Sequence, residues 1–531
     1  MSELFIGNTS GGKRHARAEK EQTEKKKMRK RTIIVITIVA ILFGAALFLN
    51  SNQVRRHLTA VRIGSVEFSA TEFDFFLRTV ILDYNRIAGQ QPGGAFPDFG
   101  RPLAGQINFA TGQYWTDYFV DRTFERMLEL ATINHYADIY GFQLSDELRR
   151  QMDEDIDELR MMAMWQAPSF ADFLRFTYSH SMTESIFIRM MEFTHRAHAF
   201  RDHVMESFTY TQQQLDAAYN EYMDDFDLFV FRQFMVHPEE VDIFEFEPGD
   251  GELIVELQEE AAAEAEALAQ EIVAQIETLE DFLEHAAQQR AQQFELMFGD
   301  EMMFDDEMMF DDDMDDDTLM EIMGQALPDD LRDWFLDSAR EYGDVASFEL
   351  GGSFAVLYFV ERNDNGYLMR EMRQILIMRD HFIDFELEDE ALARGFADVL
   401  AQTTANEVLD LFIAGGATEE YLISLMPEHS HDQVEGGLYT HIARSMTGRG
   451  ELQVVPEISD WLFEENRQIG DFELIRTEAF GFHLIFFTGF GERYRDFLAD
   501  DVLRRRDIET WQESLTDLQI TRHWAMLFTQ A

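Results

Sequence analysis

At 531 residues the chain is too long for one hydrophobic core, so several domains are expected. It carries 101 Asp and Glu against 44 Lys and Arg, a formal charge of −57, and every lysine lies at or before Lys30. Such acidity excludes nucleic acid or an anionic surface as the main ligand, because both need clustered cations; the lack of cysteine excludes disulfides and thiolate metal sites.

In chain order, residues 1–31 hold ten Lys or Arg and four Glu, and are followed by "TIIVITIVAILFGAALFL", 18 uncharged residues from 32 to 49. As a helix that stretch can cross the hydrocarbon core of a bilayer, and its basic flank belongs on the cytoplasmic side. A cleaved signal peptide is the competing reading. The long leader and the lack of a small-residue cleavage site favour a retained anchor. The expectation is a single-pass protein of the cell membrane, with 1–31 cytoplasmic, 32–49 transmembrane and the bulk extracytoplasmic.

Next, "LTAVRIGSVEFSATEFDFFLRTVI" predicts a short strand around Val61, Ile63 and Val66, then a helix capped by Ser69 or Thr71 with Phe73, Phe76, Leu77 and Val80 on one face. From Tyr114 to Glu206 the pattern is amphipathic helix almost throughout, rich in Met and Phe. Those side chains are expected to form core more than client-binding surface. Thr211 and Gln214 make a capping-box pattern opening another helix, and a strand, "FDLFVFRQFMV", follows.

From there the sequence repeats itself. The first copy has "FRQFMV", a helix with Leu268, Ile272, Ile276 and Leu279, and the closing strand "SFAVLYFVER". The second has "MRQILI", a helix with Leu392, Phe396, Val399 and Leu400, and "GFHLIFFTGF". Asp333, Trp334, Arg340, Gly343 and Asp344 recur at identical spacing as Asp460, Trp461, Arg467, Gly470 and Asp471. Each copy is expected to be a small mixed α+β unit. The first is interrupted at 299–317 by an acidic run with interleaved Met and Phe. Neither that run, without a Gly-punctuated calcium loop, nor the cluster His429-Ser430-His431-Asp432 is a strong metal signal.

The second copy, with "MRQILI", "HSHDQVEGGLY", "VVPEISDWLFEENRQIGD" and "TEAFGFHLIFF", resembles the parvulin-type peptidylprolyl isomerases exported on a membrane anchor, the SurA, PrsA and PpiD class of foldases. The resemblance implies an α+β multidomain chain: an N-terminal transmembrane helix, a helical chaperone domain like the SurA N-domain at 56–225, a degenerate parvulin-like unit at 226–362, a parvulin-like isomerase domain at 367–490 and a C-terminal helix at 491–531. It implies catalysis by Gln374, Asp432 and His483. Gln374 stands where the family has its first histidine, Asp432 at the acidic position and His483 at the closing histidine. Substrate binding would fall to Val454, Ile458, Phe480, Phe482, Gly436, Gly437 and Thr477. In the first copy Gln233 replaces the first histidine, Phe354 aligns with the closing one and no Gly-Gly-x-Leu turn is present.

No cofactor or metal is implied. The implied partners are unfolded or partly folded exported proteins with X-Pro bonds. Gln374 keeps a second reading open, in which both isomerase folds are relics and the chain is a non-catalytic holdase or secretion-assembly factor. A lone histidine in an apolar strand is more often a packing residue. The matched repeat, the Ser-x-Asp and the glycine pair move His483 toward function.

Overall fold

The computed structural model describes residues 51–90, 96–239, 251–298, 318–383, 390–444 and 454–529, with the isolated positions 36, 37 and 39. The expected cytoplasmic segment and the acidic insert at 299–317 lie outside the described residues, as does the expected anchor apart from those three positions. Among the described residues no helix is long and apolar enough to cross a membrane. The chain is α+β and multidomain, with three small antiparallel sheets among the described residues. It forms two compact units: residues up to Thr209 together with those from Arg504 on, and Tyr210–Leu503.

In the first unit the expected single strand is a hairpin, β1 (Thr59–Ile63) and β2 (Val66–Ser69), turning through Gly64 at φ 57°. Ser69 then caps the helix Ala70–Gln90 reciprocally: its N–H donates to the Glu72 carboxylate at 2.7 Å and its hydroxyl accepts from the Glu72 N–H. The helices Trp115–Tyr140, Asp146–Ala163, Phe170–Thr177 and Glu184–Ser207 complete the layer. Phe68, Phe73, Phe76, Phe119, Phe187 and Phe200 fill its core. Met127, Met152, Met182 and Met190 are buried with them, whereas Met161, Met162 and Met164 are exposed, so the expectation that Met forms core holds for part of the block.

The second unit holds the repeat. With strands numbered in chain order, β3 (Leu228–Val236), β4 (Leu319–Met323), β5 (Val345–Leu350) and β6 (Ser353–Asn363) form one sheet in the order β4-β3-β6-β5. Its twin has β7 (Leu368–Met378), β8 (Leu438–Ile442), β9 (Phe472–Thr477) and β10 (Gly481–Arg493) in the matching order β8-β7-β10-β9. The repeated residues make the same contacts twice. Arg340 lies 4.1 Å over the Trp334 ring and donates to the Trp334 carbonyl, and Arg467 lies 3.6 Å over Trp461 and does likewise. Gly343, at φ 93°, donates to the Phe359 carbonyl, and Gly470, at φ 97°, to that of Phe487.

Alternation along β10 sends Phe482, Leu484 and Phe486 to one face and His483, Ile485 and Phe487 to the other. The first face is covered by the helices Glu390–Ala414 and Glu419–His429, the second by the short helix Pro456–Leu462. The long helix does not pack as its sequence suggests. Ala393, Ala397, Ala401 and Ala405 face inward at 4% exposure or less, while Leu392, Phe396, Val399 and Leu400 are 50 to 60% exposed. Small side chains at i, i+4, i+8 and i+12 let the helix approach the sheet closely, which turns the bulky stripe outward.

At the C-terminus, helix Tyr494–Ser514 is followed by β11 (Ile520–Arg522) and a turn of tight helix, Trp524–Phe528, so residues 491–531 hold more than the expected helix. β11 pairs antiparallel with β1, setting Ile520 opposite Ile63.

Candidate functional site

The two central strands of the second sheet bring the expected polar residues together. In register, β10 lays His483 opposite Leu376 and Ile485 opposite Gln374, so Gln374 and His483 are diagonal neighbours on one face. The loop before β8 supplies Asp432. It is held to the stretch of β7 beyond the pairing with β8: the His431 N–H donates to the Leu376 carbonyl at 2.8 Å, and the Leu376 N–H donates to the Ser430 hydroxyl.

The side chains form one connected line. Gln374 Nε2 donates to Asp432 Oδ2 at 2.7 Å, which turns Gln374 Oε1 toward His483 Nδ1 at 2.9 Å. An amide oxygen only accepts, so Nδ1 carries the imidazole proton, and Nε2 accepts from the Thr477 hydroxyl at 3.0 Å. Tyr439 donates to Asp432 from the far side, 3.0 Å from Oδ2, and Val434 N–H donates to Oδ1. Gln374, His483 and Thr477 are all buried. Burial pulls the His483 pKa down to about 4 against the pull of Asp432 and Glu457, so the ring is neutral near pH 7. Burial, and then Asp432, pushes Tyr439 up to about 12.

The glycine pair has a backbone reason. Gly436 and Gly437 sit at φ 63° and 55°, and a Cβ on Gly437 would lie 2.4 Å from the Gln374 carbonyl oxygen. Only glycine lets the turn run this close under β7. Arg373 ties it down, donating to the Gly436 carbonyl at 2.5 Å and to Glu419 at 2.7 Å.

The expected apolar walls are less uniform. Phe480 is 45% exposed at the β9–β10 turn, its ring 6.3 Å from that of His483 and edge-on. Val454 and Ile458 lie on the histidine side but are packed with Met372, Trp461, Leu462 and Ile485, at 7% and 2% exposure. Phe482 is a correction: it points to the opposite face, into the cluster under the helix Glu390–Ala414, because neighbouring strand residues alternate sides.

A second correction concerns the first copy. Gln233 pairs with Leu357 as Gln374 pairs with Ile485, so the position equivalent to His483 is Ala355, and Phe354 corresponds to Phe482. Phe231 and Phe335, ring centroids 4.9 Å apart, belong to the same cluster as Ala355, and the Gln233 amide donates to the Met235 sulfur. Apart from Gln233, the neighbours of Ala355 in this cluster are hydrophobic.

Sequence reasoning missed Tyr439. Its signal was position: it stands two residues after Gly437, at the start of β8 and seven residues from Asp432. The His429–Asp432 segment is also clearer. His431 Nδ1 accepts from the Met378 N–H at 3.0 Å, and its ring lies 4.2 Å from His381. Burial first, and then His381, lowers the His431 pKa. Among the described residues, no group of three or more His, Asp or Glu is placed to hold a metal ion.

The arrangement offers a directional strip of donors and acceptors that runs from the Asp432 carboxylate through the Gln374 amide to the neutral His483 ring. No family model matches the chain, and no curated protein matches it as a relative.

Proposed function

We propose that the chain is a membrane-anchored, extracytoplasmic peptidylprolyl cis/trans isomerase of parvulin type that serves as foldase and chaperone for exported proteins. The observation carrying this reading is the line Thr477–His483–Gln374–Asp432–Tyr439, on the face of the second repeat where the first has Gln233 among apolar side chains and Ala355 in the place of His483. Isomerisation of an X-Pro bond needs no covalent step. It needs the twisted amide to be held better than the planar one. Oriented dipoles fixed by mutual hydrogen bonds suit that task, since they need not reorganise as the amide loses conjugation. Asp432 orients Gln374, Gln374 fixes the tautomer of His483, and Phe480 supplies an exposed apolar surface beside it.

A second reading, a non-catalytic holdase or secretion-assembly factor, is favoured by one observation. Val454 and Ile458, the expected walls of the proline cup, are packed into the core. Proline-limited refolding of a reporter protein separates the two. The full chain is expected to speed the slow phase, and His483→Ala and Asp432→Ala to lose most of that gain, at least about tenfold or 1.4 kcal/mol of transition-state stabilisation. A parent chain that adds nothing to the uncatalysed rate, yet suppresses aggregation of the reporter, sinks the enzyme and leaves the holdase.

A further inference from the structure

The first unit ends in an apolar tip that neither the core nor the proposed isomerase uses. Met161, Met162 and Met164 are 56 to 76% exposed, Trp165 is 92% and Phe176 91%. Large side chains exposed singly are ordinary; four within the five residues 161–165, with a fifth in the next helix, are not.

The position of this tip follows from its contacts. Arg160 donates to Glu184 and lies 5.6 Å over the Phe170 ring, joining the end of Asp146–Ala163 to the helix Phe170–Thr177 and to the start of Glu184–Ser207. The loop between the last two helices is bound by the first described segment of the chain. Arg56 Nε donates to the Ser181 carbonyl at 2.7 Å, Asn52 to that of His180 at 3.4 Å, and Val54 is buried. Asn52 follows the apolar stretch 32–49 by three residues, which span at most about 10 Å. The point where an anchored chain would leave the bilayer is therefore beside this tip.

We infer that the tip formed by Met161, Met162, Met164, Trp165 and Phe176 is a lipid-contacting surface that lies in the membrane interface, next to the anchor; the inference rests on the anchor reading proposed above. Trp favours the headgroup region, where an amphipathic ring is wet at one edge and apolar at the other, and Met and Phe add apolar area below it. The nearby cations are engaged within the protein: Arg160 with Asp157 and Glu184, Arg175 with Asp172, Arg56 with Ser181. Contact is thus apolar in origin and expected with zwitterionic lipid. The far end of the unit gives an internal control. Tyr140 packs 5.8 Å from Phe200, sixteen residues or about 24 Å along the helix from Glu184, and Ile139 beside it is 63% exposed.

The cysteine-free sequence makes the test direct. The full chain carrying Trp165→Cys, Phe176→Cys or Ile139→Cys is labelled with an environment-sensitive dye and reconstituted in phosphatidylcholine vesicles, with and without brominated acyl chains. The labels at 165 and 176 are expected to shift to the blue and be quenched by bromine, the label at 139 to remain water-like, and added salt or anionic lipid to change neither. Alkaline carbonate extraction of the same vesicles reads the anchor separately. A chain that resists extraction while 165 and 176 stay water-like overturns the lipid surface and spares the anchor. A chain that is stripped off overturns both. A blue shift that grows with protein concentration without lipid, or only when an unfolded client is added, assigns the tip to a second copy or to clients and also overturns the inference.

Discussion

His483 is a neutral ring held between a hydroxyl and an amide, and its titration is a readable consequence. Its pKa falls from 6.5 in the unfolded chain to about 4 in the folded one, so between those values the unfolded state binds the extra proton. Stability from this residue is full above about pH 6.5 and is lost as the pH drops toward 4, by roughly 3 kcal/mol in all. Urea unfolding of the second unit across this window should show a shallower acid loss in His483→Gln than in the parent, with the two differing most in slope near pH 5. Any isomerase activity that depends on the neutral His483 ring should be flat from pH 6 to 8, because that ring carries no extra proton there. Gln374→Leu should be worse than a lost hydrogen bond. It strands the buried His483 Nδ1–H and leaves Asp432 Oδ2 to Tyr439 alone, at about 1 to 3 kcal/mol for a buried group left unpaired, and a lowered urea midpoint at pH 7 would report it. The sequence showed Gln374, Asp432 and His483 as separate positions; their connection depends on a diagonal across two strands 109 residues apart. It also paired His483 with Phe354 where the strands place Ala355, because a slip of one residue in a two-residue period exchanges the faces of a strand.

At the scale of elements, the repeat was legible because it is written in turn and cap residues whose backbone roles are position-specific. Arg340 and Arg467, Gly343 and Gly470, each do in space what their spacing announced. The inward face of helix Glu390–Ala414 was not legible. Alanine and leucine stripes alternate around it, and hydrophobic periodicity alone ranks the larger residues as core. Packing chose the smaller ones. Leu392→Ser or Phe396→Ser should therefore change stability by no more than about 0.5 kcal/mol, whereas Ala397→Leu should cost about 1 to 3 kcal/mol by overpacking against the sheet. Thermal melts of the three variants would reverse this assignment if the serine variants proved the more damaging. The glycine turn belongs to the same scale. Gly437→Ala puts a methyl 2.4 Å from the Gln374 carbonyl oxygen in a left-handed backbone, so it should push β7 out of line and disturb Asp432 and His483 together.

At the scale of the whole molecule, the first unit is built from both ends of the chain. β1 pairs on one side with β2, its neighbour in sequence, and on the other with β11, more than 450 residues later. Nothing in the three residues Ile520–Arg522 announces a strand, since so short a run has no period, and a partner that distant leaves no local trace. The pairing carries weight all the same. His523 N–H donates to the Ala60 carbonyl at 2.8 Å, Arg522 lies 3.8 Å over the Phe124 ring, Ala525 is 1% exposed, and Arg55 donates to the Phe528 carbonyl. Leu518, Ile520, Met526 and Phe528 pack on the same core. Truncation after Ser514 removes all of these and leaves β1 as an open edge. At about 1 to 2 kcal/mol for each large side chain partly withdrawn from water, the loss should reach about 4 kcal/mol, much of the stability of an ordinary domain. Hydrogen exchange on the truncated chain should show protection falling in β1, β2 and helix Ala70–Gln90 while β7 and β10 keep theirs. Equal loss in both units would mean that the C-terminal strand supports the molecule as a whole, and unchanged exchange in β1 would mean that its pairing with β11 contributes little.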